Sequence, residues 1–265
     1  MAGVFDRRRI PAPESSFPPI FEPSDEPEAG PSKRAGRSND HIQDIFLQTG
    51  LVTQANGSAY IEQGGVKIAC SVYGPRPKQP PYSSTGTLNL EVKFAPFASH
   101  SRRAPLRDTE PLPLSALISQ SLLPAIQLHL LPKSSLDIHL LILESSTTAA
   151  VLSAGLTVAS AAVADAGISM NGLGVGGTAL RVGKETLLDP SAGEEASGNG
   201  LVCLGSLPAQ GKVTGVWISG ELEVEELCDL IDKAGEAGEQ AHTTVAHTLL
   251  EEAEARGVGL GVTDV

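Results

Sequence analysis

The chain has 265 residues, of which 41% are hydrophobic and 4% aromatic, and it carries a formal net charge of −12. That is enough apolar material for one large domain or two small ones, but few rings are left for stacking on bases, and an acidic chain lacks the basic face that an autonomous nucleic-acid binder needs to displace counterions from phosphates. The three cysteines, Cys70, Cys203 and Cys228, are too few and too far apart for a disulfide framework or a zinc site, and point to a reducing compartment.

Residues 1–40 are rich in Pro, Ser and Glu, a composition that cannot bury enough apolar surface to order itself. They read as an N-terminal arm. Phe5, Ile10, Phe17, Ile20 and Phe21 are spaced among prolines, where they suit anchoring on a neighbouring protein. Arg7, Arg8 and Arg9 suit nuclear import or RNA-backbone contact equally, and because prolines and acids follow them no secretory leader is expected. No apolar run of membrane-spanning length, and so no membrane partner, is expected either.

From residue 48 to 76 the pattern becomes that of half-buried strands: Val52, then Ala59 and Ile61, then Val66, Ile68, Cys70 and Val72 recur at spacing two. Asn56-Gly57 and Gly64-Gly65 fall between them, where tight turns favour Asn and Gly. A proline-rich loop (77–86) precedes a strand from Leu88 to Phe94, set in a basic neighbourhood of Lys78, Lys93, Arg102, Arg103 and Arg107. Those cations suit either a solvated loop or contacts to phosphates.

Leu112–Leu131 has apolar residues at three- and four-residue steps and predicts an amphipathic helix kinked at Pro124. A strand over Leu136–Leu143 follows, then a nearly uncharged, Ala-rich helix over 148–166, apolar all round and therefore buried. Gly172–Gly177 has the spacing G-x-G-x-x-G, but it follows a helix and leads into strand-like Thr178–Val182, the reverse of a dinucleotide fingerprint. Strands over Leu201–Leu204 and Val213–Ile218, a turn region over Pro190–Gly200 and a helix over Glu223–Arg256 complete the chain. His242 and His247 are five apart and miss the one-face spacing of a zinc pair, so surface or packing roles fit them, and neither metal nor cofactor is expected.

The stretch QTGLVTQANGSAYIEQGGVKIACSVYGPR resembles the opening strands of the RNase PH family, through Gly50, Ala55, Gly57, Ser58, Ala59, Gly64, Val66, Cys70, Val72, Gly74 and Pro75. Within that family the likeness is to the RNase PH-like subunits of the eukaryotic RNA exosome ring. The resemblance implies an α+β, RNase PH-like fold (ribosomal protein S5 domain 2-like) of two pseudo-repeated lobes of sheet packed on helices: a first lobe over 41–181 and an acidic second lobe over 182–265. Acids outnumber bases 16 to 4 in the second lobe, while the first holds 8 acids and 9 bases, so RNA contacts belong to the first lobe, at Arg102, Arg103 and Lys93.

Active members of the family use inorganic phosphate to release nucleoside diphosphates from RNA 3′ ends, which requires cations for two anionic reactants. The resemblance places arginines in a phrase like R-L-I-G-R-S-L-R on the first long helix, where this chain has Ala116 to Leu123, and in a Gly-Thr-Arg loop, where it has Ser145 to Thr148. No Lys or Arg occurs between Ser134 and Leu180. The acid pair with spacing six is present as Asp189 and Glu195, read here as loop residues without a cation partner. The implied role is a catalytically silent ring subunit in 3′-to-5′ RNA processing and degradation, with no catalytic residues of its own. It would partner other RNase PH-like subunits, S1/KH-type cap proteins, RNA in the assembled channel and a separate hydrolytic nuclease, in nucleus, nucleolus and cytoplasm. The alternatives are an active phosphate-dependent 3′-to-5′ exoribonuclease and, disfavoured by charge and scarce aromatics, a generic RNA-binding module.

Overall fold

The computed structural model describes residues 34, 37–78, 80, 82–99, 102–103 and 111–257. The anchors and arginines of 1–33, and Arg107, lie outside the described residues. The first sheet has five strands, β1 (Ile45–Thr49), β2 (Gly57–Gln63), β3 (Val66–Pro77), β4 (Thr87–Phe94) and β5 (Ser134–Glu144), in the order β1-β2-β3-β5-β4. All neighbours are antiparallel except β4 and β5. The spacing-two pattern sets the register: Ala59 lies opposite Cys70, Cys70 opposite Leu140 and Leu140 opposite Val92, a buried row on one face. Gly64 takes the positive φ that the β2–β3 turn requires, whereas Gly57 is already the first residue of β2 and not part of a turn.

The helix α1 (Leu112–Leu122) stops where a longer, kinked helix was expected. Pro124 has no N–H to continue the ladder, and Leu123–Ala125 and Leu128–Leu130 follow as short 3-10 turns. The helix α2 (Thr148–Asp165) is as buried as its composition predicts. It is also long and apolar enough to cross a membrane, contrary to the expectation of no such run, but its side chains form the core.

The second sheet contains β6 (Val175–Val182), β7 (Glu185–Leu188), β8 (Gly200–Leu207) and β9 (Lys212–Gly220), all antiparallel in the order β7-β6-β8-β9. The short β7 was not anticipated. The second sheet starts at Val175, so the β6 strand that a division at 181 leaves in the first lobe pairs with the second. The supposed turn region contains a helix, α3 (Ala192–Ser197), opened by a capping box: Ser191 N–H donates to Glu194 Oε2 at 2.7 Å, and the Glu194 N–H to Ser191 Oγ at 3.5 Å. The long α4 (Val224–Ala255) closes the fold, with Glu225 and Glu226 in its first turn.

α2 packs against β2 and β3 on one side and β6 and β8 on the other, while α4 covers the opposite face of the second sheet. On β6, Thr178 and Leu180 therefore face α2 and Ala179 faces α4. The glycine pair makes both approaches possible: a Cβ on Gly176 would lie 2.3 Å from Ser153 Cα, and one on Gly177 2.1 Å from the Ala234 carbonyl. Packing thus requires glycine at 176 and 177, whereas a Cβ on Gly172 or Gly174 would meet nothing closer than 3.7 Å.

Candidate functional site

The end of the molecule where α2 begins carries two adjoining polar clusters. In the first, a pocket of about 300 Å³ is lined by Phe94, Ser99, Arg103, Leu114, Ser145, Ser146, Thr147, Thr148 and Val151. Thr147 caps α2, its Oγ1 accepting from the Ala150 N–H at 3.3 Å. Ser145 is held by Ala98, whose carbonyl accepts from both its N–H and its hydroxyl at 2.9 Å. The helix N-terminus and its hydroxyls make this pocket receptive to an anion.

Arg103 is the cation the structure brings here. Its guanidinium stacks on the Phe94 ring at 3.9 Å, and its Nε donates to Ser99 Oγ at 3.1 Å. Arg102 is exposed beside it. Lys93 precedes Phe94 on a strand, so it points to the other face of the sheet, where its Nζ pairs with Glu91 Oε1 at 2.9 Å. The three residues singled out by charge therefore do not converge: Arg103 lines the pocket, Arg102 is exposed and outside its lining, and Lys93 points to the other face of the sheet. The Glu91 carboxyl is held below its ordinary range, chiefly by the hydrogen bond from Lys93.

Along α1 and into the turn that follows it, the positions where the resemblance expects arginines, Ala116, Gln120 and Leu123, are exposed, at three- and four-residue spacing, and uncharged. Ile118 and Leu122 face inward. A surface able to present three cations to solvent thus presents none.

The second cluster surrounds Asp189, which is no loop residue in the sense expected: only 2% of it is exposed, and it has a φ of +47° directly after β7. Its Oδ2 accepts from the Gln43 N–H and from Gln63 Nε2, both at 2.9 Å, and its backbone carbonyl from Arg37 Nη2 at 2.9 Å and Gln43 Nε2 at 3.1 Å. Asp189 therefore fastens the segment before β1, the end of β2 and the second sheet together. Glu195 lies on α3, its Oε2 buried without a hydrogen-bond partner among the described residues.

The clusters meet through Cys203, whose Sγ lies 3.7 Å from the Ala149 carbonyl in the first turn of α2; burial and the nearby Asp189 charge push its thiol up to about 12. They meet also through the β2–β3 turn, where Gly65 lies against Ser146 and Gln63 holds Asp189. Composition had suggested an arm through residue 40, but Arg34 and Arg37 reach this cluster, with Arg34 Nε 2.8 Å from Glu194 Oε1. The Ser-x-x-Glu capping signature at Ser191 was the one sequence signal for this local structure; nothing in the sequence marked Gln43 or Gln63 as partners of Asp189.

Phosphoryl transfer between two anions needs several convergent cations. Among the described residues the pocket supplies one guanidinium, and the neighbouring acid already accepts three bonds or more from its own chain. A family model described as the 3′ exoribonuclease family, domain 1, matches residues 41–169. The exosome complex component mtr3 of Schizosaccharomyces pombe is 35% identical over 252 residues, covering 93% of this chain and 96% of that protein. The exosome complex component MTR3 of Homo sapiens is 33% identical over 270 residues, covering 95% and 97%. The crystal structure of rice (Oryza sativa) Rrp46 matches with a TM-score of 0.70 at 17% identity, over 81% of this chain and 99% of that one, and so shares the fold. With relatives more than 30% identical along nearly their whole length and the family's first-domain model on its first lobe, the chain belongs to the RNase PH, 3′ exoribonuclease family.

Proposed function

We propose that this chain is a structural subunit of an RNA exosome ring, contributing wall and interfaces to an RNA-conducting channel while leaving phosphorolysis to other proteins. Similarity to exosome complex components along nearly the whole chain supports the ring assignment. One observation carries the catalytic half: the exposed positions Ala116, Gln120 and Leu123 lack any cation, and Asp189 is occupied by bonds from Gln43, Gln63 and Arg37. In this reading Arg102 and Arg103, with Lys93 on the opposite face, touch RNA phosphates as backbone contacts that carry no base information.

The partners are other RNase PH-like subunits, with S1/KH-type cap proteins and a separate hydrolytic nuclease joining the assembled ring, in nucleus, nucleolus and cytoplasm. Two edge strands suit the subunit interfaces: β4, and β9, on which Val213, Val216 and Ile218 are exposed. Covering them with a partner removes an aggregation-prone surface. Co-expression with another RNase PH-like exosome subunit is expected to give a stable heterodimer in analytical ultracentrifugation, and the purified chain to release no nucleoside diphosphate from a 3′ single-stranded RNA with inorganic phosphate. A phosphate-dependent release that disappears in Asp189→Ala would establish the active exoribonuclease instead. A monodisperse, equally stable monomer that ignores every ring subunit would end the structural reading.

A further inference from the structure

Arginine is among the residues least often fully buried, yet the Arg34 side chain is only 4% exposed. Its guanidinium meets Glu194 as a fork, Nε to Oε1 at 2.8 Å and Nη2 to Oε2 at 3.3 Å. Nη2 also donates to the Leu188 carbonyl at 2.6 Å, and Nη1 to the carbonyls of Ser38 and Asn39 at 3.3 and 3.4 Å. All three nitrogens are thus engaged, by acceptors on four different residues. Burial by itself raises the Glu194 carboxyl, but the bonds from Arg34 and Ser191 outweigh it and hold the group below its ordinary range.

Arg37 lies alongside. Its Nη2 donates to the Asp189 carbonyl at 2.9 Å, and its nitrogens lie 4.0 Å from Asp189 Oδ2 and from Glu194 Oε2. Its Nη1 is buried without a hydrogen-bond partner among the described residues. Two guanidiniums side by side repel, and both lose hydration; the arrangement holds only because two carboxylates and a set of carbonyls converge on them. An ammonium has three donors at a point and cannot span acceptors laid out in this way.

We propose that the pocket formed by Leu188, Asp189 and Glu194 is a guanidinium-binding site, filled in cis by Arg34 and Arg37. Asp189, one of the two acids at the family's acid positions, and Glu194, beside the other, are committed to this internal ligand, and the segment that precedes β1 is anchored by it to the second sheet. The assignment is independent of the ring reading, since it concerns the purified chain alone.

The test is chemical rescue in the full-length chain. Arg34→Ala is expected to lower Tm by roughly 5 °C or more, and Arg34→Lys by nearly as much, because the fork and not the charge is what the site reads. Millimolar ethylguanidinium should recover part of the loss in Arg34→Ala, ethylammonium at equal ionic strength should not, and the double variant Arg34→Ala/Glu194→Gln should show no rescue. An Arg34→Lys chain as stable as the parent, equal rescue by both cations, or no rescue by ethylguanidinium would overturn the assignment. Should Arg34→Ala not fold, the same rescue comparison is made on Arg37→Ala, whose side chain is more exposed and holds fewer bonds.

Discussion

Adding one methyl group to Gly177 should disrupt the packing of the second sheet on its helix. A Cβ there would lie 2.1 Å from the Ala234 carbonyl oxygen, 2.7 Å from the Gly238 nitrogen and 3.2 Å from the Ala234 carbonyl carbon. Ordinary contact distances are about 3.5–4.0 Å, so α4 must retreat by roughly 1 Å or more. The clashing atoms are helix backbone and cannot rotate away. The retreat would loosen Leu230, Ala234, Ala237 and Ala241, all buried on the sheet. Overpacking typically costs about 1–3 kcal/mol, and the rigidity of both partners puts Gly177→Ala at the upper end, about 3 kcal/mol, or roughly 6–12 °C in Tm for a chain of this size. Gly193→Ala is the control: nothing lies within 4 Å of its Cβ, and it sits inside α3, so a change of at most about 1 kcal/mol, in the stabilising direction, is expected. Thermal unfolding followed by calorimetry compares the two. A Gly177→Ala chain melting within about 1 °C of the parent would refute the close approach of β6 and α4.

Three further outcomes follow from burial and charge. Cys70 and Cys203 are buried and Cys228 is exposed, so a thiol reagent should modify one cysteine in the native chain and all three after unfolding; rapid native reaction of Cys203 would contradict its place under α2. Burial raises both inner thiols, Cys203 from 9.0 up to about 12, so above pH 9 the unfolded chain sheds these protons while the folded one keeps them. Their contribution is complete below pH 9 and is lost as pH rises towards 12, and urea midpoints should fall over that window and recover in part in Cys203→Ala. Asp165 accepts from the Ser58 N–H at 2.9 Å and from Arg256, which also donates to Thr49 Oγ1 at 2.8 Å, tying the end of α4 to the first sheet. Asp165→Ala should cost about 2 kcal/mol and Arg256→Ala, half exposed, about 1 or less; equal effects in urea unfolding would show that Ser58 does not depend on the carboxylate.

What the sequence determined by itself is local and periodic. The spacing-two runs of β2 and β3, the uncharged length of α2 and the position of α4 are written in residues close enough along the chain to share a face. The absence of cations at Ala116, Gln120 and Leu123 could be read in the same way once the family resemblance supplied the register. Pro124 was legible as a disruption but not as a stop, because whether a proline kinks or ends a helix depends on what packs beyond it. The tertiary structure alone decided the rest. The order of elements in the sequence already set Gly172–Gly177 apart from a dinucleotide fingerprint, but only the presence of α2 on one side of β6 and α4 on the other explains why Gly176 and Gly177 are glycine. Asp189 and Glu195 read as an acid pair left in a loop without a cation partner. Asp189 became a fastening point because Gln43 and Gln63, 146 and 126 residues away in sequence, donate to it. Arg34 and Arg37 sat in a stretch too polar to order itself, and they are ordered because carboxylates contributed by a distant lobe make burial of a guanidinium favourable. Composition records what a segment can bury on its own, whereas hydrogen bonds between distant segments exist only after the sheets and helices have brought them together.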